Sequence, residues 1–155
     1  MRGFLVVLVL GSFLAVGATF PSASEASFPR GTATITKANG SKIVLQVELA
    51  RTPAQHALVL MNRRSLAPRS GMVFEFTRPT TSAFWMKNTL IPLDIAFYDG
   101  RGRILRILTM KPCLTAACPV YDPGVTYRGA LEVNAGALRR WGVARGDRIV
   151  VRASS

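Results

Sequence analysis

The sequence has little of the material from which metal centres are usually built. Its 155 residues include one histidine, two cysteines and eight acidic residues. A single histidine excludes a centre with two or three histidine ligands, and two cysteines exclude a four-cysteine zinc site. With so few carboxylates, a strongly acidic ligand site is not expected either. We therefore predict no metal site in this protein.

Common catalytic motifs are missing as well. The sequence contains neither a phosphate-binding loop nor a dinucleotide fingerprint, so we expect no cofactor, and it has no G-x-S-x-G elbow of a serine hydrolase. The one histidine, His56, stands on a predicted helix beside Gln55 with no acid or nucleophile close by. Such a residue usually serves packing or the surface, so we expect no site centred on His56. These absences favour a protein that is not an enzyme.

Basic residues are what the chain has in excess. Lysine and arginine number 20 against 8 for aspartate and glutamate, which gives a net charge of +12. The basic residues are spread along the chain without an aromatic and basic nucleic-acid motif, so we expect no specific nucleic-acid partner. Candidate partners for this charge are anionic lipid head groups and acidic polymers of the cell envelope. The alternative is that an arginine-rich genome composition accounts for part of the excess.

Residues 1–26 have the layout of a secretory signal peptide. Met1-Arg2 is followed by an uncharged apolar run over 4–18 and then by small residues up to Ala26. The run is shorter than the ~20 residues that span a bilayer comfortably. We predict export with cleavage near Ala26, and an N-terminal anchor is the alternative. Residues 27–155 then form one domain, secreted or associated with the cell envelope, without a membrane span after cleavage.

The two cysteines, Cys113 and Cys118, are close enough in sequence to pair. Four residues separate them, and such a segment can fold back as a turn. Outside the cytoplasm a disulfide can persist, and we predict one here. Free thiols and a two-cysteine metal site are the alternatives, whereas the spacing is not that of a C-x-x-C redox motif.

Alternating hydrophobicity predicts a mainly β domain. Residues 31–38 and 43–50 alternate around Asn39-Gly40, a strong hairpin signal. Further predicted strands cover 72–76, 84–87, 93–98, 103–110, 130–133 and 148–152. About eight short strands favour a single-domain β sandwich or barrel over alternating βαβ units.

Two short helices complete the predicted domain. Thr52-Pro53 combines a good N-cap with a good first helical residue, which predicts a helix over 54–63. Asn134 is a candidate cap for a second helix that contains Leu138 and Trp141.

One segment carries a family signature, FWMKNTLIPLDI over residues 84–95. Shorter motifs agree with it in order: Leu66-Ala67-Pro68, Gly71-Met72, Pro112-Cys113, Cys118-Pro119, Ala130-Leu131-Glu132-Val133, Ala135-Gly136 and Gly146-Asp147-Arg148. On these residues the chain resembles domain-of-unknown-function family 192 (DUF192) over roughly residues 43–151. The resemblance implies a mainly β, jelly-roll-like sandwich in a family whose members are often exported, and it implies no activity.

The signature also groups side chains that could form a site. If 84–87 and 93–98 pair as a hairpin, Lys87 comes opposite Asp94, with Trp85 on the same face. One interpretation is a structural ion pair, with Asn88 capping a turn. The other is a ligand pocket with an aromatic floor, one ammonium, one amide and one carboxylate. Glu132 fits either interpretation, and the candidate ligand-binding residues are therefore Trp85, Lys87, Asn88, Asp94 and Glu132.

The sequence thus predicts a non-catalytic binding or accessory module for a small polar or anionic ligand, for example a sugar. A small envelope hydrolase that uses Asp94 and Glu132 as acid and base is the first alternative. A structural interaction domain that acts through its basic surface is the second. Two carboxylates that converge in a deep cleft would favour the hydrolase, and an aromatic-floored groove would favour the binding module.

Overall fold

A computed structural model describes residues 28–58 and 60–154, and within them it contains nine strands and two short helices. The strands are β1 Arg30–Thr36, β2 Lys42–Ala50, β3 Ser70–Thr80, β4 Phe84–Trp85, β5 Leu93–Tyr98, β6 Ile104–Met110, β7 Val120–Tyr121, β8 Tyr127–Asn134 and β9 Arg148–Ala153. The helices are α1 Pro53–Leu58 and α2 Ala137–Arg140. The predicted mainly β class is confirmed, and the predicted signal peptide lies outside the described residues.

Seven strands form one curled sheet, and β4 and β7 form a separate two-stranded sheet. The order in the large sheet is β6-β5-β8-β3-β2-β1-β9. Its neighbours are antiparallel except β2 and β3, which run parallel. The sheet curls until its two ends meet, because the backbone N–H of Ile149 donates to the carbonyl of Gly102 at 2.7 Å and that of Ile104 donates to the carbonyl of Asp147 at 2.8 Å. The domain is therefore barrel-like.

The hairpin of β1 and β2 forms where the sequence predicts it. Ile35 pairs with Ile43, and the turn between them contains Gly40 at a φ of 80°. A left-handed φ of this kind favours glycine, which explains why Asn39-Gly40 is a strong turn signal. The alternating apolar residues of both strands point into the curl of the sheet and are buried.

Both faces of the central strands are covered, so the domain has two hydrophobic clusters. The cluster inside the curl includes Leu45, Ala96, Leu131 and Leu138. The cluster outside it includes Leu60, Met72, Met86 and Phe97, beneath the segments that carry α1, β4 and the two cysteines. For this reason all six residues of β5 are buried. Among the described residues, no helix is long and apolar enough to cross a membrane.

The predicted hairpin between 84–87 and 93–98 is wrong. β4 contains only Phe84–Trp85 and pairs with β7, a strand that the sequence analysis did not predict. β5 instead pairs with β6 and β8 in the large sheet. A two-residue strand has no periodicity to reveal its partner, and short sequence separation suggested the wrong one.

Both helices differ from the prediction: α1 is shorter than predicted, and α2 begins after a different residue. α1 starts after Thr52, whose hydroxyl accepts the N–H of Gln55 as predicted, but the helix ends at Leu58. α2 has Gly136, not Asn134, at its N-cap. The Asn134 amide is used elsewhere and donates to the carbonyl of Leu66 at 2.8 Å. A loop contact far away in sequence therefore replaces the predicted cap.

Candidate functional site

A cavity of about 320 Å³ opens beside β4 on the outer face of the large sheet. Fourteen residues line it: Pro53, His56, Leu60, Met61, Phe74, Phe76, Ser82, Ala83, Phe84, Trp85, Met86, Thr89, Leu93 and Glu132. We call it the aromatic cavity. Its lining contains one carboxyl group and neither lysine nor arginine, in a chain whose net charge is +12. The cavity is thus much less basic than the protein around it.

Glu132 is the acidic residue of the aromatic cavity. It lies in the middle of β8 and pairs with Met72 of β3 and Ile95 of β5, so it shares their outer face of the sheet. The side chain is only 4% exposed, and among the described residues it has no hydrogen-bond or ion-pair partner. Burial raises its pKa to about 8 because the charged form loses its hydration. A carboxyl group without an internal partner is available to a bound molecule.

Aromatic rings form much of the cavity wall. Phe84 of β4 packs edge-on against Phe74 of β3, with ring centroids 4.8 Å apart and an interplanar angle of 81°. Phe76 follows two residues along β3 on the same face, and Trp85 is 54% exposed at the rim. These rings give a ligand apolar and π contacts around one acidic group.

His56 also lines the aromatic cavity, together with the predicted residue Trp85, although the sequence analysis expected no site centred on His56. Its Nε2 is 2.9 Å from the carbonyl oxygen of Ala50, so this nitrogen carries a proton and donates it. The ring packs against Phe76 and Phe74 at centroid distances of 4.7 and 5.7 Å. The Thr52-Pro53 signal predicted where the helix begins, but it could not predict which of its side chains face β3.

Trp85 and Glu132 are the only two of the five predicted ligand-binding residues that line this cavity. The Lys87 ammonium lies 5.4 Å from the centroid of the Trp85 ring, which places a cation–π contact beside the cavity and outside its lining. Asn88 has a φ of 56°, and its backbone N–H donates to the carbonyl of Cys113 at 3.0 Å. Asparagine tolerates this left-handed conformation better than most residues, which gives Asn88 a structural role.

Asp94 lies on the opposite face of the sheet from Glu132. It pairs with Val133 inside the curl, where it is 3% exposed. Its carboxyl oxygens accept the Thr109 hydroxyl at 2.7 Å and the N–H of Leu138 at 3.3 Å. The predicted ion pair with Lys87 is wrong, since neither residue forms a salt bridge among the described residues. Asp94 instead attaches α2 to the sheet.

A disulfide joins Cys113 to Cys118 beside this site. The Cα atoms are 5.7 Å apart, a common distance for a disulfide. Cys113 is buried in the outer cluster, and its backbone forms bridges with Lys87 and Thr89. The disulfide therefore holds a loop that packs directly on the segment after β4. In the described part of the chain, no group of three or more His, Cys, Asp or Glu side chains could hold a metal ion.

Fold and cavity together define a small β-barrel-like domain with a largely aromatic, single-acid cavity. The family model of DUF192, described as an uncharacterised ACR, matches residues 34–151. The chain belongs to this family, as its signature predicts.

Two solved structures are similar along most of the chain. A protein provisionally described as a transcription regulator, from Sinorhizobium meliloti 1021, is 35% identical with a TM-score of 0.76, and the match covers 83% of this chain and 98% of that one. A protein of unknown function from Novosphingobium aromaticivorans DSM 12444 is 32% identical with a TM-score of 0.72, over 90% of this chain and 99% of that one. Among curated proteins, none matches this chain. These likenesses confirm the β fold and assign no activity.

Proposed function

We propose that this protein is a non-catalytic binding module that holds a small molecule in the aromatic cavity. One observation carries the proposal: the buried carboxyl group of Glu132 lines an aromatic cavity and has no partner within the described protein. No fully buried side-chain oxygen of the described residues lacks a hydrogen bond, so the unpartnered carboxyl group of Glu132 must open onto the cavity, where a ligand can bond to it. An apolar cavity with few polar groups is also the usual form of a small-molecule site.

The composition of the cavity changes the expected ligand. The sequence suggested a small polar or anionic molecule, but no lysine or arginine lines this cavity to balance the charge of a bound anion. We therefore propose a ligand with an apolar body and one polar group that bonds to Glu132. An anionic partner would instead suit the surface depression of about 730 Å³, whose lining includes two acids, Glu75 and Asp99, and four arginines, Arg51, Arg101, Arg128 and Arg148. Salt-dependent binding to anionic vesicles would measure that second role.

The alternative of a hydrolase that uses Asp94 and Glu132 loses its geometric basis. The two residues sit on adjacent strands, but Asp94 pairs with Val133 and Glu132 pairs with Ile95. Neighbouring residues of a strand point to opposite faces, so the sheet separates the two carboxyl groups. They cannot act together on one bond of a substrate.

We further propose that the domain works outside the cytoplasm, secreted or at the cell envelope. The signal-like layout of residues 1–26 and the disulfide both support this. In that compartment a binding module would meet nutrients, envelope fragments and small signalling molecules, consistent with a cavity of this size.

The binding proposal is tested with the fluorescence of Trp85. Trp141 packs against the inner cluster on the other face, so Trp141→Phe leaves Trp85 as the single tryptophan. A library of small molecules is screened by thermal shift, and hits are titrated against this variant. We expect hits to change the Trp85 emission and to raise the unfolding temperature by mass action.

Matched variants separate binding from folding. Trp85→Ala removes a cavity wall that is 54% exposed, whereas Val120→Ala removes its exposed strand partner outside the lining. We expect Trp85→Ala to weaken a hit at least tenfold, or about 1.4 kcal/mol, with little loss of stability, and Val120→Ala to leave its affinity unchanged. Equal affinity in the native protein and both variants would contradict the proposed site.

A further inference from the structure

We infer that the ligand of the aromatic cavity is an organic cation, an ammonium group with a compact apolar or methylated body. This inference rests on the proposed binding function and names its ligand class. It follows from three features of the cavity taken together: several aromatic rings, one carboxyl group without a protein partner, and no lysine or arginine in the lining.

The aromatic lining favours a cation over an anion. Phe74, Phe76, Phe84 and Trp85 all line the cavity, and aromatic faces are the negative ends of their quadrupoles. A cation over such a face gains electrostatic attraction, and the gain grows when the cation is desolvated. The protein shows this preference on the neighbouring side, where the Lys87 ammonium lies 5.4 Å from the centroid of Trp85.

Glu132 supplies the countercharge that a buried cation needs. Few acidic side chains are as deeply buried here: Asp94, Asp147 and Glu132 are the buried acids among the described residues. Asp94 is bonded to Thr109 and Leu138, and Asp147 accepts the N–H groups of Ala38 and Ala144. Glu132 alone has no such internal bonds and faces a cavity. Hydrogen bonds within the fold account for the burial of Asp94 and Asp147, but not for the burial of Glu132.

The protonation state of Glu132 should differ between the empty cavity and the cavity with a bound cation. Its strand neighbours, Met72 and Ile95, do not titrate, and His56 from α1 is the other titratable side chain of the lining. Lys87 contacts Trp85 outside the lining. In the empty cavity burial favours the protonated carboxyl group, and a cation that enters favours the carboxylate. Binding should therefore release a proton and tighten as the pH rises.

The test compares choline with 3,3-dimethyl-1-butanol, its uncharged carbon analogue of nearly the same shape, and with 3,3-dimethylbutanoate, an anion. Affinities are measured by calorimetry and by Trp85 emission at pH 8.5 and 6.5. Choline is a quaternary ammonium without an acidic N–H proton, so any pH dependence of its affinity arises from the protein. We expect choline to bind at least tenfold more tightly than the alcohol at pH 8.5, and at least tenfold more weakly at pH 6.5 than at pH 8.5.

Glu132→Gln is the decisive variant, and Glu48→Gln is its control, because Glu48 is bound to Arg63 outside the cavity. Both proteins are first shown to unfold cooperatively. Glu132→Gln should remove the preference for choline over the alcohol and the pH dependence, and Glu48→Gln should keep both. If the alcohol binds as tightly as choline, or if Glu132→Gln keeps the preference, the cation inference fails while a binding function stands. The cation inference also fails if choline, tetramethylammonium and benzyltrimethylammonium do not bind while an uncharged screening hit occupies the cavity. The proposed binding function fails only if no compound of the whole screen binds in the cavity.

Discussion

At the scale of the residue, Glu132 and Asp94 show how one sheet assigns two roles to similar side chains. They lie on adjacent strands and are both almost fully buried. Asp94 accepts two hydrogen bonds and joins α2 to the sheet, so it contributes to stability. Glu132 has no internal partner, and burial alone raises its pKa to about 8. A residue that is unfavourable for stability in this way is a reasonable candidate for function.

The raised pKa of Glu132 predicts that the free energy of unfolding falls as the pH rises. The native state holds the proton up to about pH 8, whereas the unfolded chain loses it near the ordinary value of 4.5. Since the native state binds more protons between these values, stability is greatest below about pH 4.5 for this group and declines toward pH 8. We expect Glu132 to account for a loss of about 2 to 3 kcal/mol between pH 5 and pH 7, at roughly 1.4 kcal/mol per pH unit between the two pKa values.

Urea unfolding at both pH values measures this effect. Glu132→Gln has no ionisable group at this position. Its free energy of unfolding should therefore lack the loss between pH 5 and pH 7 that is attributed to Glu132 in the native protein. Glu48→Gln should keep the part of the pH dependence that is attributed to Glu132, because it leaves Glu132 and the cavity lining unchanged. An unchanged slope in Glu132→Gln would mean that Glu132 is ionised at neutral pH in the free protein.

At the scale of the element, the outer segments are held both by pairing with one another and by packing on the large sheet. β4 and β7 contain two residues each and pair only with each other within the described part of the chain. A two-stranded ribbon of this length is not stable alone. Phe84 and Met86 hold it to the outer cluster, and the backbone of Cys113 bonds to the segment after β4. The aromatic cavity is thus formed by packing and by the disulfide loop together.

Loss of the disulfide should therefore loosen the cavity wall before the barrel. Non-reducing peptide mapping should show Cys113 joined to Cys118 in protein isolated from its native host. We expect the double variant Cys113→Ser, Cys118→Ser to lose roughly 1 to 2 kcal/mol of stability, in keeping with the small loop that the bond closes. Hydrogen exchange should become faster in 111–121 and in β4, and stay slow in β5 and β8. Two freely alkylated thiols, or equal effects throughout the sheet, would contradict this role.

At the scale of the whole molecule, charge and burial are distributed separately. The net charge of +12 is carried mainly by arginines on the surface, while the barrel and the aromatic cavity exclude them. Such a charge favours solubility and contact with anionic surfaces, but it does not specify the fold.

Export of the whole chain gives a prediction at this scale. Protein isolated from its native host should lie outside the cytoplasm and lack the residues up to about Ala26, because the charged start, apolar run and small residues match a cleaved leader. Intact-mass measurement decides the cleavage, and cell fractionation decides the location. A membrane-bound product that still begins near Met1 would favour the anchor, and a cytoplasmic product would contradict export.

The sequence by itself determined the family, the mainly β class, the β1–β2 hairpin and the cysteine pair. Each of these depends on neighbours in the chain: alternation of side chains, an Asn39-Gly40 turn, a contiguous signature or a short spacing. Such signals are local, so they survive without knowledge of the rest of the structure.

Only the tertiary structure decided which chemical groups meet. Lys87 and Asp94 are close in sequence but do not pair, because β5 lies between β6 and β8 in the large sheet. Glu132, His56 and Trp85 come from distant parts of the chain and line the same cavity. The face of a strand on which a residue lies follows from its register, and a shift of one residue reverses that face. Register in this sheet is set by pairings between strands far apart in sequence, and these place Glu132 in the cavity and Asp94 beneath α2.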